Sequence, residues 1–395
     1  MTEIFHERFK SPIPTAELQR RWQKTQKAMK EAGIDCILTQ NTTQYMGGYN
    51  RWLTDTTAEN AYPQSVIIPA EGEMALIAYG APPQNYYPPK YVVRGAKVMP
   101  NVPYFAPFNF THDWEGKIAM DWIREHDIKC IGIAGMGLIH SAYYDYLVKN
   151  LPGVKFVDAS DLLDQIKCIK SEAEIEFIRR SAAIQDKAFG YVGAITQPGV
   201  REYEIRGKLM EILTDLGGEE QIVVIGSAPQ GETFTPYPSF LQNRTLEDGD
   251  QVYIGISSSG PGGFFTAIGR MVSLGRPSVE MKENFELALR AQKKVTAQLE
   301  IRADPGIIYA EYNRFLEANN CEPEHALFAY GQGYDYIERP SIQPGETMRI
   351  QKDMCLAVNT SIVAARRTSY LCDSFLITAE GPARLHKTAQ NIIVA

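Results

Sequence analysis

The pattern of hydrophobic and polar positions changes character near residue 165. Before that point, short strand-like runs alternate with helical spacing. The helical pattern of residues 17–33 ends at Gly33, a glycine typical of a helix C-terminus. Residues 63–80 read as two strands around an AEGE turn, and residues 129–137 read as a strand that enters a glycine-rich turn. Strands alternating with helices predict an α/β first domain over residues 1–165.

The second half of the chain has longer helical patterns. Ser171 and Glu174 form the S-x-x-E capping box that opens an amphipathic helix. Helices are predicted over residues 171–195, 201–216 and 281–299, and apolar strands lie between and after them. No repeat at a solenoid period is present. The pattern predicts an α+β second domain over residues 166–395.

Composition and charge narrow the class of protein. The chain has 395 residues, 44% hydrophobic and 22% charged, which is typical of a globular protein. A net charge of -7 spread along the chain disfavours nucleic acid and anionic membranes as partners, because both reward basic patches. No apolar run reaches the roughly 18 residues of a membrane span. Six scattered cysteines without a CxxC pair, and no signal-like apolar run at the start, predict a reduced, cytoplasmic protein.

Two loop-like segments are unusually aromatic, residues 44–63 and 82–91. Packing of surface loops explains such segments, but exposed Tyr and Trp also favour cavities and subunit contacts. Arg51 and Trp52 in the first segment are therefore candidate substrate-binding residues.

Several motifs in order carry a resemblance to a known family. The helix that opens at Ser171 is followed by RTLEDGDQVYIGI, FFTAIGRMVSLG, YGQGYDYIERP and MCLAVNTSIV, and then by YLCDSFLITAEG. Their order and spacing resemble the creatinase/prolidase superfamily, the M24 or pita-bread proteins. The resemblance implies an α/β N-terminal domain and an α+β domain with a strongly curved sheet and a pocket inside the curve. It also implies a homodimer in which a loop of one subunit completes the pocket of the other.

The resemblance also locates the metal ligands of the family, which are two Asp, one His and two Glu around two divalent cations. The corresponding positions here are Gly255, Ala267, Gln332, Asn359 and Cys372. Glycine and alanine offer no ligand, and neutral amides bind transition metals weakly. We expect no metal and no cofactor. The acid/base residues of metal-free creatinase are missing as well, since their positions fall near residues 237–238 and at Gly269, Asn359 and Cys372.

The side chains left in the pocket give the candidate site. Gln332 and Asn359 are expected to bind a polar substrate through neutral amides. Around them we place Tyr330, Tyr336, Thr266, Arg270 and His325 as further substrate-binding candidates. Arg270 has the alternative of a structural pair with Asp373, and His325 that of a structural histidine.

Three residues are candidates for catalysis, each with a structural alternative. Glu338 is a candidate general base, or else half of a salt bridge. Cys372 is a candidate nucleophile, or else a buried thiol. Tyr334 is a weak acid or an aromatic wall. Arg366 and Arg367 either anchor a substrate carboxylate or lie in a solvated loop.

Three functions remain open from the sequence. The first is a metal-independent, creatinase-like hydrolase that cleaves a C–N bond of a small polar or carboxylated substrate. The second is a lyase that uses the same pocket for an elimination. The third is a non-catalytic protein that binds a small molecule or a peptide.

Overall fold

The chain forms two compact units, Met1–Lys167 (unit 1) and Cys168–Ala395 (unit 2). The structure is a computed structural model, and it describes residues 10–46, 48–57, 59–60, 62–79, 92–99, 113–237, 239–365 and 367–395. In the described part of the chain, no helix is long and apolar enough to cross a membrane.

Unit 1 is an α/β unit built on a mixed sheet. Its strands are β1 (Cys36–Asn41), β2 (Gln64–Pro69), β3 (Met74–Ile77), β4 (Ala96–Val98), β5 (Cys130–Ala134) and β6 (Lys155–Asp158), in the order β4-β3-β2-β1-β5-β6. Its helices are α1 (Thr15–Ala32), α2 (Tyr49–Thr54), α3 (Trp114–Glu125), α4 (Ser141–Asn150) and α5 (Ser160–Lys167). The predicted hairpin is confirmed, since β2 and β3 pair antiparallel. Gly33 ends α1 with a φ of 65°, a backbone conformation that glycine adopts without strain.

A buried polar cluster lies between this sheet and helices α3 and α4. Gln40 and Ser65 face each other across β1 and β2. Gln40 donates from Nε2 to Oε1 of Glu115 at 3.3 Å. Burial raises the pKa of Glu115 from 4.5 to about 7, and the charge of Glu115 adds to the burial that raises the pKa of Tyr143. A carboxyl group with so few partners prefers its neutral form in the interior.

Unit 2 is built on a curled, mainly antiparallel sheet. Its strands are β7 (Gln221–Pro229), β8 (Asp250–Ser259), β9 (Phe265–Ser273), β10 (Ala329–Gly331), β11 (Glu338–Ser341), β12 (Cys355–Ala364), β13 (Arg367–Thr378), β14 (Gly381–Arg384) and β15 (Ile393–Val394). Its helices are α6 (Glu172–Phe189), α7 (Val192–Ile195), α8 (Glu202–Asp215), α9 (Val279–Thr296) and α10 (Pro305–Ala318). The path of the sheet is β11-β10-β12-β13-β9-β8-β7, with β14 on β13 and β15 on β9.

The helices define the two faces of this sheet. Residues of α6 and α8 pack on Ile254, Ile256 and Ile268, and residues of α9 and α10 pack on Val358 and Leu371. We call this the helix-covered face. Because side chains alternate along a strand, the neighbours of these residues point to the opposite side, which we call the inner face.

The helices of unit 2 agree with the sequence with two exceptions. The capping box of Ser171 and Glu174 is present in both directions. The predicted helix of residues 171–195 is interrupted after Phe189, so that α7 is separate from α6. Helix α10 was not predicted, although Asp304 caps it and Pro305 stands in its first turn.

One arginine holds β9, β13 and the C-terminal segment together. Arg270 and Asp373 form an ion pair at 2.7 Å, and both side chains are fully buried. The remaining guanidinium N–H groups donate to four backbone carbonyls, those of Gly269, Cys372, Thr388 and Ala389. The guanidinium is therefore fully hydrogen-bonded without contact with water.

Replacing Glu115 by Gln is expected to change how stability depends on pH. The folded chain keeps the Glu115 proton up to a pKa of about 7, whereas the unfolded chain releases it near 4.5. Stability therefore falls as pH rises through this window, by about 3 kcal/mol in total. Glu115→Gln lacks this loss, so its melting temperature relative to wild type should rise between pH 4.5 and 7. The exposed Glu31→Gln is the control, and a parallel pH profile for wild type and Glu115→Gln would contradict the assignment.

Replacing Asp373 by Asn is expected to destabilise unit 2 strongly. The substitution keeps the shape of the side chain but leaves Arg270 buried without its counter-ion, which costs about 3 kcal/mol or more. Glu176→Gln, which removes an exposed ion pair with Arg180, should change stability by less than about 1 kcal/mol. Urea unfolding of the two variants measures the difference, and equal effects would show that the buried pair is not needed.

Candidate functional site

The positions that the family pattern reserves for metal ligands converge on the inner face. In the sheet register, Gly255 is opposite Gly269, Gly269 is opposite Cys372, and Cys372 is opposite Asn359. Ala267 lies two residues before Gly269 on the same strand and so points to the same face. The four central strands β8, β9, β12 and β13 therefore bring together residues that lie far apart in the sequence.

Two of these positions are glycines because an aromatic ring covers them. A Cβ atom on Gly269 would lie 2.0 Å from the hydroxyl oxygen of Tyr253, and one on Gly255 would lie 2.9 Å from Cε1 of the same ring. No side chain fits in that space without moving the ring. Tyr253 was not among the sequence candidates, although it precedes Gly255 by two residues and the alternation of the strand places it on the same face.

The residues present do not fit a pair of metal ions. Gly255 and Ala267 offer no ligand atom, Gln332 and Asn359 offer neutral amides, and Cys372 is a single thiol. A dinuclear centre needs several anionic oxygen ligands to balance two divalent cations. Within the described residues, no three His, Cys, Asp or Glu side chains group closely enough to hold a metal ion.

Gln332 is anchored at one end of its amide only. Its Oε1 accepts a hydrogen bond from Oγ of Ser374 at 2.6 Å, and Ser374 in turn accepts from the backbone N–H of Ala267 at 2.8 Å. The Nε2 group of Gln332 has no hydrogen-bond partner among the described residues, although Gln332 is fully buried. An unpaired buried donor is costly and is found where a site awaits a ligand or water.

Asn359 and Cys372 are opposite each other on β12 and β13, one step along the inner face from Ser374. The Oδ1 atom of Asn359 is buried, and no described residue forms a hydrogen bond with it. Burial and the neighbouring Asp373 raise the pKa of Cys372 well above its ordinary value. A thiol that keeps its proton at neutral pH is a poor nucleophile, so the geometry favours the buried-thiol interpretation of Cys372.

Tyrosine hydroxyls surround these residues. Tyr330 and Tyr336 lie edge to face with ring centroids 6.0 Å apart, and Tyr253 and Tyr370 lie 5.1 Å apart. Burial raises the pKa values of Tyr253 and Tyr330 well above their ordinary value, and that of Tyr370 to about 12. These phenols are therefore neutral hydrogen-bond donors at physiological pH. Tyr370 was also missed by the sequence, although it precedes Cys372 by two residues.

Glu338 is not placed as a free base. Its Oε2 pairs with Nζ of Lys170 at 2.8 Å, and both side chains are 2% exposed. Its Oε1 also accepts from the backbone N–H of Asp335 at 3.3 Å. Both carboxylate oxygens of Glu338 are therefore engaged, one of them in a buried ion pair. The salt-bridge alternative describes Glu338, and we drop it as general base.

Thr266 and Arg270 lie on the other side of the sheet. Both alternate with Ala267 and Gly269 on β9, so they point to the helix-covered face. The backbone of Thr266 accepts from Nε2 of Gln185 on α6, and Arg270 pairs with Asp373. Adjacent residues of a strand point to opposite faces, so a residue next to a site position in the sequence does not itself face the site. We therefore do not assign a substrate contact to either residue.

The remaining candidates of unit 2 occupy different places. Tyr334 is 3% exposed and packs on Phe264 with ring centroids 4.2 Å apart, which favours the aromatic-wall interpretation. His325 and Arg367 are exposed. Residues 82–91, Pro238 and Arg366 lie outside the described residues.

Arg51 and Trp52 lie on α2 in unit 1. Trp52 is 1% exposed, and the guanidinium of Arg21 lies 5.5 Å from the centre of its ring. Trp52 is therefore a core residue of unit 1 and not a surface aromatic. Burial raises the pKa of Asp55 to about 6, and the positive charge of Arg51 limits this rise.

A carboxylate that the sequence did not single out stands at the edge of the inner face. Oε2 of Glu324 accepts from Oγ of Ser361 at 2.8 Å, and Ser361 lies two residues beyond Asn359 on β12. The charge of Glu324 contributes to the raised pKa of Tyr370. Glu324 belongs to a loop after α10 without a motif, so only the fold brings it to the site.

Comparison with known proteins identifies the family that this chain resembles. The chain matches the model of metallopeptidase family M24 over residues 176–381, just over half of its length. It is 27% identical to the Xaa-Pro dipeptidase of Pyrococcus horikoshii over 274 residues, which cover 66% of this chain and 76% of that protein. It is 23% identical to an uncharacterised hydrolase/peptidase of Sinorhizobium fredii over 412 residues, 96% of this chain and 97% of that protein.

The fold has close counterparts among solved structures. The X-Pro aminopeptidase of Thermotoga maritima superposes with a TM-score of 0.78 at 18% identity, over 95% of this chain and 99% of that one. At this identity the likeness shows the fold alone. Together with the family match, it shows that this chain belongs to metallopeptidase family M24, within the creatinase/prolidase superfamily of pita-bread proteins.

Proposed function

We propose that unit 2 is a metal-independent hydrolase that cleaves a C–N bond of a small polar substrate on the inner face. The proposal rests on the residues at the five positions that the family pattern assigns to metal ligands. All five residues are neutral, although the chain matches family M24: Gly255, Ala267, Gln332, Asn359 and Cys372. Members of the family are named as peptidases and hydrolases, which supports hydrolysis as the reaction class.

The reaction needs water and no other reagent. Water adds to the substrate carbon, the C–N bond breaks, the hydroxyl oxygen stays on the carbon, and the nitrogen leaves with a proton. The negative charge that develops on the carbonyl oxygen needs hydrogen-bond donors in place of metal ions. The amide of Gln332 and the neutral phenols of Tyr253 and Tyr330 are donors of this kind.

Glu324 is our candidate for the base that activates water. Ser361 orients its carboxylate from the inner face at 2.8 Å, and the backbone N–H of Ala326 donates to its other oxygen at 2.9 Å. Glu338, the alternative from the sequence, is engaged by Lys170. Glu324 is half-buried, and both of its carboxylate oxygens accept hydrogen bonds that hold it at the edge of the inner face.

A second candidate function is binding without catalysis. This function is favoured because two of the catalytic candidates are poorly suited to catalysis. The thiol of Cys372 keeps its proton, since burial raises its pKa, and the carboxylate of Glu338 is held in an ion pair. Elimination by a lyase is the remaining alternative. Incubation in heavy-oxygen water separates the three, because hydrolysis incorporates solvent oxygen into the product, elimination does not, and a binding protein forms no product.

Purified protein is expected to contain no stoichiometric divalent metal. The residues at the five ligand positions cannot balance two dications. Elemental analysis of protein grown with added zinc, manganese, iron or cobalt should find far less than one ion per chain, and a chelator should leave the melting temperature and any turnover unchanged. An M24 relative that keeps the carboxylate ligands is the positive control. Two tightly bound cations per chain would refute metal independence.

Replacing Glu324 by Gln is expected to reduce turnover by a factor of roughly 100 or more with little change in substrate affinity, because a general base contributes about that much to the rate. The amide keeps the size and one acceptor oxygen for Ser361. Turnover of a panel of small amides, ureas and amidines would be followed by mass spectrometry. Glu338→Gln tests the discarded alternative, and a specific loss of turnover there, with Glu324→Gln active, would reverse the assignment.

A further inference from the structure

We infer that the inner-face site binds an uncharged ligand through an amide group, meaning a primary amide, a lactam or a urea, and discriminates against the matching carboxylate. The inference rests on the proposed function only for the location of the site. It names the substrate class that the described side chains recognise, whether or not a reaction follows.

The first support is an unpaired donor. Gln332 is fully buried, and its Oε1 accepts a hydrogen bond from Ser374. Its Nε2 has no hydrogen-bond partner in the part of the chain that the structure describes. Leaving such a group unpaired costs about 1–3 kcal/mol, and a ligand that brings an acceptor recovers this energy. The carbonyl oxygen of an amide is a suitable acceptor.

The second support is an unpaired acceptor nearby. Oδ1 of Asn359 is also buried, and it too has no hydrogen-bond partner within the described ranges. Asn359 lies two residues from Ala357 on β12, and Ala357 is opposite Ser374, the residue that holds Gln332. Two residues of a strand span about 7 Å, so both unpaired atoms belong to one small region of the inner face. An amide carries both an acceptor and an N–H donor, whereas a carboxylate carries acceptors alone.

The third support is the absence of charge on this part of the sheet. The inner-face positions of β8, β9, β12 and β13, which the structure describes in full, are occupied by Gly, Ala, Ser, Thr, Val, Leu, Met, Phe, Tyr, Cys, Gln and Asn. Arg270 points to the other face and is neutralised by Asp373. A carboxylate bound here would lose its hydration without gaining a counter-ion from these four strands. Glu324 at the edge of the face adds a further repulsion.

The test is a comparison of matched probes on the full chain. N-acetylglycinamide and N-acetylglycine, succinamide and succinate, and isobutyramide and isobutyrate differ only in amide against carboxylate. Isothermal titration calorimetry and ligand-observed NMR should find saturable binding of at least one amide, with its acid bound at least about tenfold more weakly. Tighter binding of the acids, or no saturable binding of any amide, would overturn the inference.

Two variants and a control locate the binding. Gln332→Met and Asn359→Leu keep the approximate volume and remove the donor and the acceptor, so each should weaken the amide about tenfold. Thr266→Val removes a hydroxyl that is likewise buried and unpaired but points to the helix-covered face, and it should leave binding unchanged. If Gln332→Met does not fold, Asn359→Leu carries the test. Equal affinity in the two site variants and the control would overturn the inference.

These outcomes are separable from those of the proposed function. Amides that bind selectively but are never turned over support the recognition class and contradict the hydrolase. Turnover of substrates whose carboxylates bind better than their amides contradicts the recognition class and supports the hydrolase.

Discussion

The guanidinium of Arg270 fixes the arrangement on which the site depends. It bonds to Asp373 and to the carbonyl groups of Gly269 and Cys372, so it holds β9 and β13 in the one register where those two residues are opposite each other. Because side chains alternate along a strand, this register sends Arg270 and Asp373 to one face and the site residues to the other. The buried ion pair on the helix-covered face thus positions the uncharged groups on the inner face.

The sequence predicted the fold well. It also predicted which of the candidate residues come together on one face of the sheet, but only for some of them, for reasons that individual residues make clear. Local signals located α1 at Gly33 and α6 at Ser171. Motif alignment placed Gln332 and Asn359, since the order of strands is shared across the family. Proximity in sequence was misleading for Thr266, because adjacent residues of a strand point to opposite faces. For Arg270, the alternative of a structural pair with Asp373 is confirmed.

Other features could not be found without the fold. Lys170 pairs with Glu338, which lies 168 positions further along the sequence, and no local pattern in either segment predicts this pair. Glu324 reaches Ser361 from a loop without a motif. Such contacts depend on how distant segments pack, and local patterns carry no information about them. Tyr253 and Tyr370 could have been found from the sequence, although no motif includes them. Each lies two residues before a position that the motifs identify, and the alternation of side chains along a strand places it on the same face.

Whether a site can hold metal cations depends on whether it holds carboxylates, because the two sets of charges balance each other. Carboxylates gathered at one point without cations would repel each other, and cations without carboxylates would not bind, so neither set is stable alone. A site that lacks one is expected to lack the other. The five positions are neutral, and the ring of Tyr253 occupies the space above two of them. Two buried cations of unit 2 are each paired with a carboxylate, Arg270 with Asp373 and Lys170 with Glu338. What such a surface can still supply is directional hydrogen bonding from amides and phenols, which discriminates between uncharged ligands by the placement of their donors and acceptors.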